Sequence, residues 1–467
     1  MRTGSRVLLI VLICSGGILV VGGGRGQSFG APALASPGGF QCSPAPCVLP
    51  PTQASEGGGT VTDTPIVSNP LNTKQLLLGS VDFNCSGEQS NLGFHLSIDG
   101  GSTWQRVLCM PTITMGGRIW DPVDEPSVGY DRKGTAYIAG LYFDSNGFLA
   151  VQKSTDGTHW GKPIVALRDP GQTYPFETHL TVDTNASSKR VNSLYISGVM
   201  SLNRARQVQV SHSTDGGVTW KQSAVGTVQK NPEQDDFTRM AVGKDGTAYV
   251  SWQYCRAMGG SGACPTVYFM FSKSTDGGNT WSTPQRIATV NMPYNWLLPN
   301  TNERVYNYPA IGADTSDGPY SGNLYAAMYT WTGTFLQVQV IRSTDGGNTW
   351  SKPVPVAPPT ATHDQFFPAL SVSPTGLVGV SWLDRRNDPG NIDYQAFAAI
   401  SIDGGQSFQP NWQLTTAFSD PETNGTENNW MGDYTGSTWA GQDFIAAWMD
   451  SSNGVDMQEV IGGIRLK

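Results

Sequence analysis

The sequence predicts an all-β fold, a single β-propeller built from four-stranded antiparallel blades. Three observations lead to this prediction: a short turn motif that recurs six times, a strand pattern that recurs between the turns, and the overall composition. The chain has 467 residues, with 56 glycines and 30 prolines but only 14% charged residues. Such a composition suits many short strands joined by tight turns, and it is too aromatic for a disordered chain.

The recurring turn has the pattern Ser-x-Asp-Gly-Gly-x-Thr-Trp. The second copy is one residue shorter, and in the last copy Phe408 replaces the tryptophan. The aspartate can accept hydrogen bonds from nearby backbone N–H groups, and Gly-Gly supplies positions where a positive φ angle costs little. The regular spacing of the copies indicates a repeat architecture. Their aspartates are Asp99, Asp156, Asp215, Asp276, Asp345 and Asp403.

A second pattern recurs between the turns: an acidic or aromatic cluster, a short apolar strand, a turn, and a strand rich in Tyr, Val and Trp. Each repeat therefore supplies four antiparallel strands, which is one propeller blade. A further unit without a turn motif follows the sixth copy, over residues 430–465, so seven blades are favoured and six are the alternative. This last unit lacks an outer strand. Residues 60–63 are expected to supply it and to close the ring, which removes an exposed sheet edge.

The N-terminal part predicts export. Residues 1–27 begin with two arginines and continue as an uncharged apolar run, as in a signal peptide or an N-terminal membrane anchor. Residues 28–59 are rich in Pro, Gly and Ser and are predicted to be a linker, so that the propeller spans residues 60–467. We therefore expect an extracytoplasmic protein, secreted or anchored by its N-terminal segment.

Six cysteines follow the apolar run, and an even number in an exported chain suggests disulfides. Local pairings are predicted, because each would clip a single loop or blade. These are Cys42 with Cys47, Cys85 with Cys109, and Cys255 with Cys264.

The charge pattern excludes some partners. The formal net charge is −8, and no basic run interleaved with aromatic residues occurs, so nucleic acid is not an expected partner. No C-x-x-C pair or histidine cluster indicates a metal site, and no cofactor is expected. We expect a monomer that touches a membrane only through its N-terminal segment.

The turn motif is the Asp-box, or BNR repeat, and six copies resemble the sialidase superfamily of β-propellers. The resemblance covers nearly all of the predicted exported part. It implies an exo-glycosidase for terminal anionic sugars of the sialic acid type. Family enzymes use three arginines for the substrate carboxylate, an aspartate as acid/base, and a tyrosine nucleophile activated by a glutamate. They also carry a Phe/Tyr-Arg-Ile-Pro motif before the first Asp-box, which this sequence lacks.

The candidate site residues lie where inner strands begin and where second strands end, because these loops converge at one mouth of the channel. By position in the repeat, the resemblance implies that Tyr434 is the nucleophile, Glu177 its base and Asp124 the acid. The arginines of the set are donors suited to an anionic ligand. The predicted substrate-binding residues are Arg239, Asp384, Arg385, Arg386 and Asp433.

Two other functions stay open on the sequence alone. A non-catalytic propeller would bind glycan or protein on the same face without hydrolysis. A lyase, or a glycosidase for neutral sugars, would use carboxylates such as Asp236 and Glu177 as acid and base. The Asp-boxes do not decide between these functions, because a fold does not establish an activity.

Overall fold

The computed structural model describes residue 42 and residues 44–88, 91–168, 175–202, 205–256, 264–293, 296–425 and 430–467. In these ranges the chain forms thirty β-strands and one 3-10 helix, Phe83–Glu88. The strands form seven sheets, which are the blades of one propeller. The predicted all-β propeller is confirmed with seven blades, and the alternative of six is wrong. The predicted signal or anchor segment, residues 1–27, lies outside the described residues and stays a prediction.

Each blade is an antiparallel sheet whose successive strands run from the channel outward, and blades 1 and 2 each carry one extra short strand. Blade 1 contains β2–β6, blade 2 β7–β11, blade 3 β12–β15, blade 4 β16–β19, blade 5 β20–β23, blade 6 β24–β27, and blade 7 β28–β30 with β1. The strands are β1 Cys47–Gln53, β2 Val61–Thr62, β3 Ile66–Asn69, β4 Asn72–Asp82, β5 Leu92–Ser97, β6 Gln105–Cys109, β7 Ile113–Met115, β8 Arg118–Tyr130, β9 Ala136–Phe143, β10 Gly147–Ser154, β11 Ile164–Arg168, β12 Pro175–Val182, β13 Leu194–Leu202, β14 Ala205–Ser213, β15 Lys221–Lys230, β16 Gln234–Val242, β17 Ala248–Cys255, β18 Thr266–Ser274, β19 Gln285–Asn291, β20 Ala310–Ala313, β21 Leu324–Trp331, β22 Leu336–Ser343, β23 Val354–Pro355, β24 Gln365–Val372, β25 Val378–Asp384, β26 Gln395–Ser401, β27 Asn411–Gln413, β28 Gly436–Ala440, β29 Asp443–Asp450 and β30 Gln458–Arg465.

The core lies between the blades. Because each blade packs against a neighbour on both faces, its middle strands are apolar on both sides. Every residue of β25 is buried, for example, and so is every residue of β26. The outer strands are only partly buried, and β15 alternates between buried, half-buried and exposed positions. This gradient explains why the second and third strands of each repeat are the easiest to recognise in the sequence.

The Asp-box turns join the third and fourth strands, at the end of each blade opposite to the start of its inner strand. In blade 4, Asp276 accepts a hydrogen bond from the Thr280 N–H at 2.9 Å and one from the Thr280 hydroxyl at 2.6 Å. The Ser274 hydroxyl donates to the same carboxylate at 2.8 Å. The Trp281 indole N–H then donates to the Ser223 hydroxyl of blade 3 at 3.0 Å. The turn therefore holds its own shape and links adjacent blades.

The ring is closed by β1, which pairs with β30 as the outer strand of blade 7. Cys47 lies opposite Arg465, and Gln53 lies opposite Val460. The expectation that residues 60–63 form this strand is wrong, since residues 61–62 pair with β4 of blade 1 instead. The propeller thus begins within the segment predicted as a linker. Two consecutive prolines hide β1 in the sequence, and prolines are tolerated here because the strand lies at a sheet edge.

All three predicted disulfides are present, and each closes a short stretch of chain. Cys42–Cys47 lies at the start of β1, Cys85–Cys109 joins the helix after β4 to β6, and Cys255–Cys264 closes the loop between β17 and β18. Disulfides indicate an oxidising environment. Within the described ranges, no helix has the length and apolar character needed to cross a bilayer.

Candidate functional site

Each inner strand enters the channel through an equivalent residue, and we call these seven residues the belt. Five of them have a positive φ angle, between 47° and 62°. Such an angle is uncommon outside glycine, so its recurrence marks a shared kink in the backbone. The kink coincides with register shifts between the first and second strands of blades 2, 3, 4 and 6. The belt consists of Asp63, Glu125, Glu177, Phe237, Tyr308, Phe367 and Tyr434.

The acidic half of the belt links neighbouring blades. The Glu125 carboxyl accepts the backbone N–H of Glu177 and that of Thr178, the latter at 2.8 Å. The Glu177 carboxyl in turn accepts the N–H of Phe237 in blade 4. Burial raises the pKa of Glu177 to about 8, and burial together with the nearby Asp124 raises the pKa of Glu125 well above its usual range. Both carboxyl groups therefore act as structural links across blade boundaries.

The aromatic half of the belt closes the channel. The Tyr434 hydroxyl of blade 7 donates to the Pro126 carbonyl of blade 2 at 2.9 Å. The Tyr434 ring packs edge-on against the Tyr308 ring, with the ring centroids 5.3 Å apart. The Tyr308 ring packs in turn against the Phe237 ring, with the centroids 4.7 Å apart. Burial raises the pKa of Tyr434 well above its usual range, and the charge of Asp63 acts in the same direction. These rings form a layer that separates the channel mouth from the deeper channel.

Above this layer lies a group of charged and aromatic side chains that we call the mouth cluster. Arg304 binds Asp433 through two hydrogen bonds, Nε to Oδ1 at 3.2 Å and Nη2 to Oδ2 at 2.8 Å. The same guanidinium lies over the rings of Tyr306 and Trp430, with its central carbon 5.1 and 5.5 Å from the two ring centroids. Burial raises the pKa of Asp124 to about 6, and the nearby Asp433 contributes in the same direction. A carboxyl group with a pKa near the working pH is what general acid catalysis requires.

Arg304 reaches the mouth because the connection between β19 and β20 folds over blade 6. The Pro299 carbonyl of this connection accepts a hydrogen bond from Arg385 at 2.7 Å. Its Glu303 carboxyl accepts the N–H of Met431, before blade 7, at 3.2 Å. Arg304 is not among the residues predicted from the sequence. It lies in an irregular loop without the repeat pattern, so no register places it at the mouth.

Two of the predicted substrate arginines are held inside blade 6. Arg385 is fully buried, and its Nη1 lies 3.3 Å from a carboxylate oxygen of Asp364. Arg386 is in an ion pair with Asp384, and its guanidinium lies over the Phe397 ring at 4.3 Å. Each of these groups therefore has a partner within the fold. Their geometry gives them a role in holding the blade and the loop above it.

The predicted nucleophile and base are not in contact. The Tyr434 hydroxyl donates to Pro126, whereas the Glu177 carboxyl accepts from Phe237. The third predicted arginine, Arg239, lies against the rings of Tyr308 and Tyr434 at 4.2 and 4.6 Å. Asp236, the acid of the alternative hypothesis, is in an ion pair with Arg206. Of the predicted set, Asp124 and Asp433 are the two that the fold brings together at the mouth.

Comparison with a solved ulvan lyase supports the fold, and two glycosidase structures align less closely. A PL25 ulvan lyase aligns with a TM-score of 0.51 at 13% identity, over 88% of this chain and 95% of that chain. The NanB sialidase from Streptococcus pneumoniae aligns with a TM-score of 0.47 at 12% identity, over 77% and 69%. The GH93 α-L-arabinofuranosidase of Fusarium graminearum aligns with a TM-score of 0.47 at 13% identity, over 76% and 98%. No protein-family model matches the sequence, and no curated protein matches it. The function therefore has to be argued from the site.

Proposed function

We propose that this protein is an extracytoplasmic glycan-processing enzyme that cleaves a bond next to an acidic sugar at the channel mouth. The observation that carries the proposal is the mouth cluster, where the Asp124 carboxyl lies beside Asp433 and Arg304. The three disulfides support an extracytoplasmic location. The solved ulvan lyase, which is bound to a glucuronate-containing oligosaccharide, adds a precedent for acidic glycans on such a propeller.

The two carboxyl groups have different roles in this proposal. Asp124 is the general acid, because burial raises its pKa to about 6 and keeps it partly protonated in mildly acidic solution. It gives its proton to the glycosidic oxygen that leaves. Asp433 takes a proton from the attacking water, and its bidentate bond to Arg304 fixes its orientation.

The preference for an acidic sugar follows from Arg304. The Nε and Nη2 of Arg304 bond to Asp433, while the Nη1 of Arg304 makes no hydrogen bond with any described residue. About a third of the side chain is exposed, 31%, so a substrate carboxylate can reach Nη1. An arginine is well suited to a carboxylate because its donors are planar and permanently charged. The half-buried rings of Tyr306 and Trp430 offer apolar surfaces for the sugar faces.

The test is turnover by the full exported chain on a panel of glycans. The panel contains sialosides, uronate-containing polysaccharides and neutral arabinan, and the readouts are reducing-end release and the ultraviolet absorbance of unsaturated uronates. We expect Asp124→Asn to lower kcat/KM on the best acidic substrate by at least about 100-fold. The wild-type rate should fall as the pH rises through about 6, because the acid then loses its proton.

Asp317→Asn is the matched control, because Asp317 is an exposed carboxylate paired with Lys244 at the opposite end of the blades. It should leave kcat/KM unchanged. The proposal is wrong if the wild-type chain releases product from no acidic glycan, or if Asp124→Asn retains full activity.

A second candidate is a non-catalytic propeller that binds acidic glycans at the same mouth. The observation in its favour is that Glu125, Glu177 and the Tyr434 hydroxyl all make hydrogen bonds within the protein. This function predicts saturable binding on a glycan array without any release of product. Arg304→Ala should then weaken binding to acidic glycans and leave binding to neutral ones unchanged.

A further inference from the structure

A cavity of about 120 Å³ lies in the channel below the belt. Residues from the inner strands of all seven blades line it, mainly at the positions that follow the belt residue. The rings of Tyr308 and Tyr434 border it on the side of the mouth. Its polar lining includes Ser127, Thr178 and Arg239. The cavity therefore combines polar and apolar lining, and the aromatic layer separates it from the mouth cluster.

Arg239 is the charged group of this cavity, and it lacks a charged partner. Its side chain is buried, with 9% of the residue exposed. Its one hydrogen bond to a described residue runs from Nη1 to the Thr238 carbonyl at 2.9 Å, and it is in no ion pair with any of them. The rings of Tyr308 and Tyr434 stack on the guanidinium. The remaining N–H donors are thus left for a ligand in the cavity.

The belt glutamates bond to backbone N–H groups and form no ion pair with Arg239. An arginine keeps its charge throughout the physiological range, and a buried charge is costly unless it is paired and hydrogen-bonded. Burial raises the pKa of Glu177 to about 8 and that of Glu125 well above its usual range, which disfavours the charged forms of both groups. Burial also lowers the pKa of His179 to about 3, so this ring adds no second positive charge.

Two hydroxyl groups in the lining have donors to offer. The Thr178 hydroxyl is buried and makes no hydrogen bond with a described residue. The Ser127 hydroxyl accepts the Leu180 N–H at 2.9 Å, which leaves its own proton free to donate. One guanidinium without an ion-pair partner among the described residues and two hydroxyl donors match a small anion that carries a single negative charge.

We propose that the cavity below the belt binds a small monovalent inorganic anion such as chloride, held by Arg239 with the hydroxyls of Ser127 and Thr178. The anion neutralises the buried guanidinium and so stabilises the contact between blades 2, 3 and 4 at the channel. The proposal does not depend on the function proposed for the mouth, because the aromatic layer lies between the two sites.

Bromide is the probe, because it replaces chloride and can be located by anomalous scattering. Crystals of the full exported chain soaked in sodium bromide should show an anomalous peak in the cavity beside the Arg239 guanidinium. In solution, sodium bromide is exchanged for sodium gluconate at constant ionic strength while thermal unfolding is followed. We expect a saturable rise in Tm of a few degrees, as for a ligand that binds the folded state alone.

The variants connect this effect to the cavity. Arg239→Gln should abolish the saturable rise, whereas Arg286→Gln should keep it. Arg286 is the matched control, because it belongs to the same blade and stacks on Tyr268 at 5.1 Å but is exposed. If Arg239→Gln does not fold, Thr178→Val takes its place and should weaken the apparent bromide affinity several-fold.

Three results would overturn the proposal: wild-type crystals without a peak beside Arg239, the same saturable rise in Arg239→Gln, or unchanged bromide affinity in Thr178→Val. Because the readouts are diffraction and stability, a failure here is distinct from an absence of turnover at the mouth.

Discussion

A carboxyl group at the start of an inner strand has one of two roles in this propeller, set by the donors around it. Glu125 and Glu177 accept backbone N–H groups of the next blade, so their oxygens are used in structure. Asp433 binds a guanidinium at the mouth, and the adjacent Asp124 has a pKa raised to about 6 by burial. The glutamates occupy the belt position and the aspartates occupy the position just before it, and the neighbours at each position make the difference.

Tyr434→Phe tests whether the belt tyrosine is structural or catalytic. We expect the variant to lower the free energy of unfolding by about 1 kcal/mol, because the Pro126 carbonyl loses its donor. We expect turnover to stay within about tenfold of wild type, since burial raises the pKa of Tyr434 and disfavours a phenolate nucleophile. Urea unfolding and initial rates on the best substrate measure the two effects.

The matched control is Tyr142→Phe, whose hydroxyl donates to the Pro111 carbonyl at 2.8 Å and does not line the channel. Its loss of stability should be similar. A loss of turnover of 100-fold or more in Tyr434→Phe alone would instead support the sialidase-type nucleophile that the sequence resemblance implies.

At the scale of the element, the Asp-box is a turn whose characteristic residues mainly stabilise the turn itself. In blade 4 the aspartate accepts from the turn's own backbone and hydroxyls, the glycines take positive φ angles, and the tryptophan bonds to the neighbouring blade. The bonds to the aspartate recur in blade 5, where Asp345 accepts from the Thr349 N–H at 2.9 Å and from its hydroxyl at 2.6 Å. The motif therefore builds the ring and leaves the chemistry to the other end of the blades.

Asp276→Ala measures what one such turn contributes. We expect a loss of about 1 kcal/mol at pH 7, since the turn is exposed and water replaces part of what is lost. Partial burial raises the pKa of Asp276, but the hydrogen bonds from Thr280 and Ser274 outweigh this and lower it to about 2. Because the pKa of Asp276 is lower in the folded state than in the unfolded state, its ionised carboxylate stabilises the protein above about pH 4.

This stabilisation is lost as the pH falls from about 4 to 2. The stability difference between wild type and Asp276→Ala should therefore shrink over that range, as followed by denaturant unfolding at each pH. Asp345→Ala should change in the same direction. A difference that is constant with pH would mean that the ionised carboxylate is not the stabilising form.

At the scale of the molecule, the ring depends on one seam between blade 7 and blade 1. The N-terminal strand β1 completes blade 7, and Leu49 of this strand packs in one cluster with Leu76 of blade 1 and Ile445 of blade 7. At the same seam His95 and Glu459 are both fully buried, with His95 Nδ1 and Glu459 Oε2 3.2 Å apart. The pairing covers the edge of β30, which would otherwise be open at the seam.

Leu49→Ala tests the seam. We expect a loss of about 2 to 4 kcal/mol in the free energy of unfolding, because the side chain is 1% exposed and its removal leaves a cavity. Leu71→Ala is the control, since Leu71 is 60% exposed and should change stability little. Denaturant unfolding followed by tryptophan fluorescence measures both. A loss in Leu49→Ala no larger than in Leu71→Ala would show that β1 does not hold the ring.

The sequence predicts some residues of the candidate site and misses others. Asp124, Glu177 and Tyr434 are placed at the channel because each stands at the belt position of its repeat or next to it. The repeat pattern does not predict Arg304 or Asp63 at the channel. Arg304 lies in a connection that lacks the pattern, and Asp63 belongs to the first repeat, in which the pattern is weak. The roles of Arg385 and Arg386 depend on partners that are distant in sequence or lie in other strands.

The sequence by itself determines the all-β propeller, its seven units and its three local disulfides. These depend on contacts within a turn, a strand pair or a short loop, which leave a periodic or local pattern in the chain. The tertiary structure alone decides that β1 closes the ring, that Arg304 meets Asp433, and that Tyr434 bonds to Pro126. Those contacts join residues more than one hundred positions apart, where the partners depend on how blades and loops pack and no local pattern encodes the pairing.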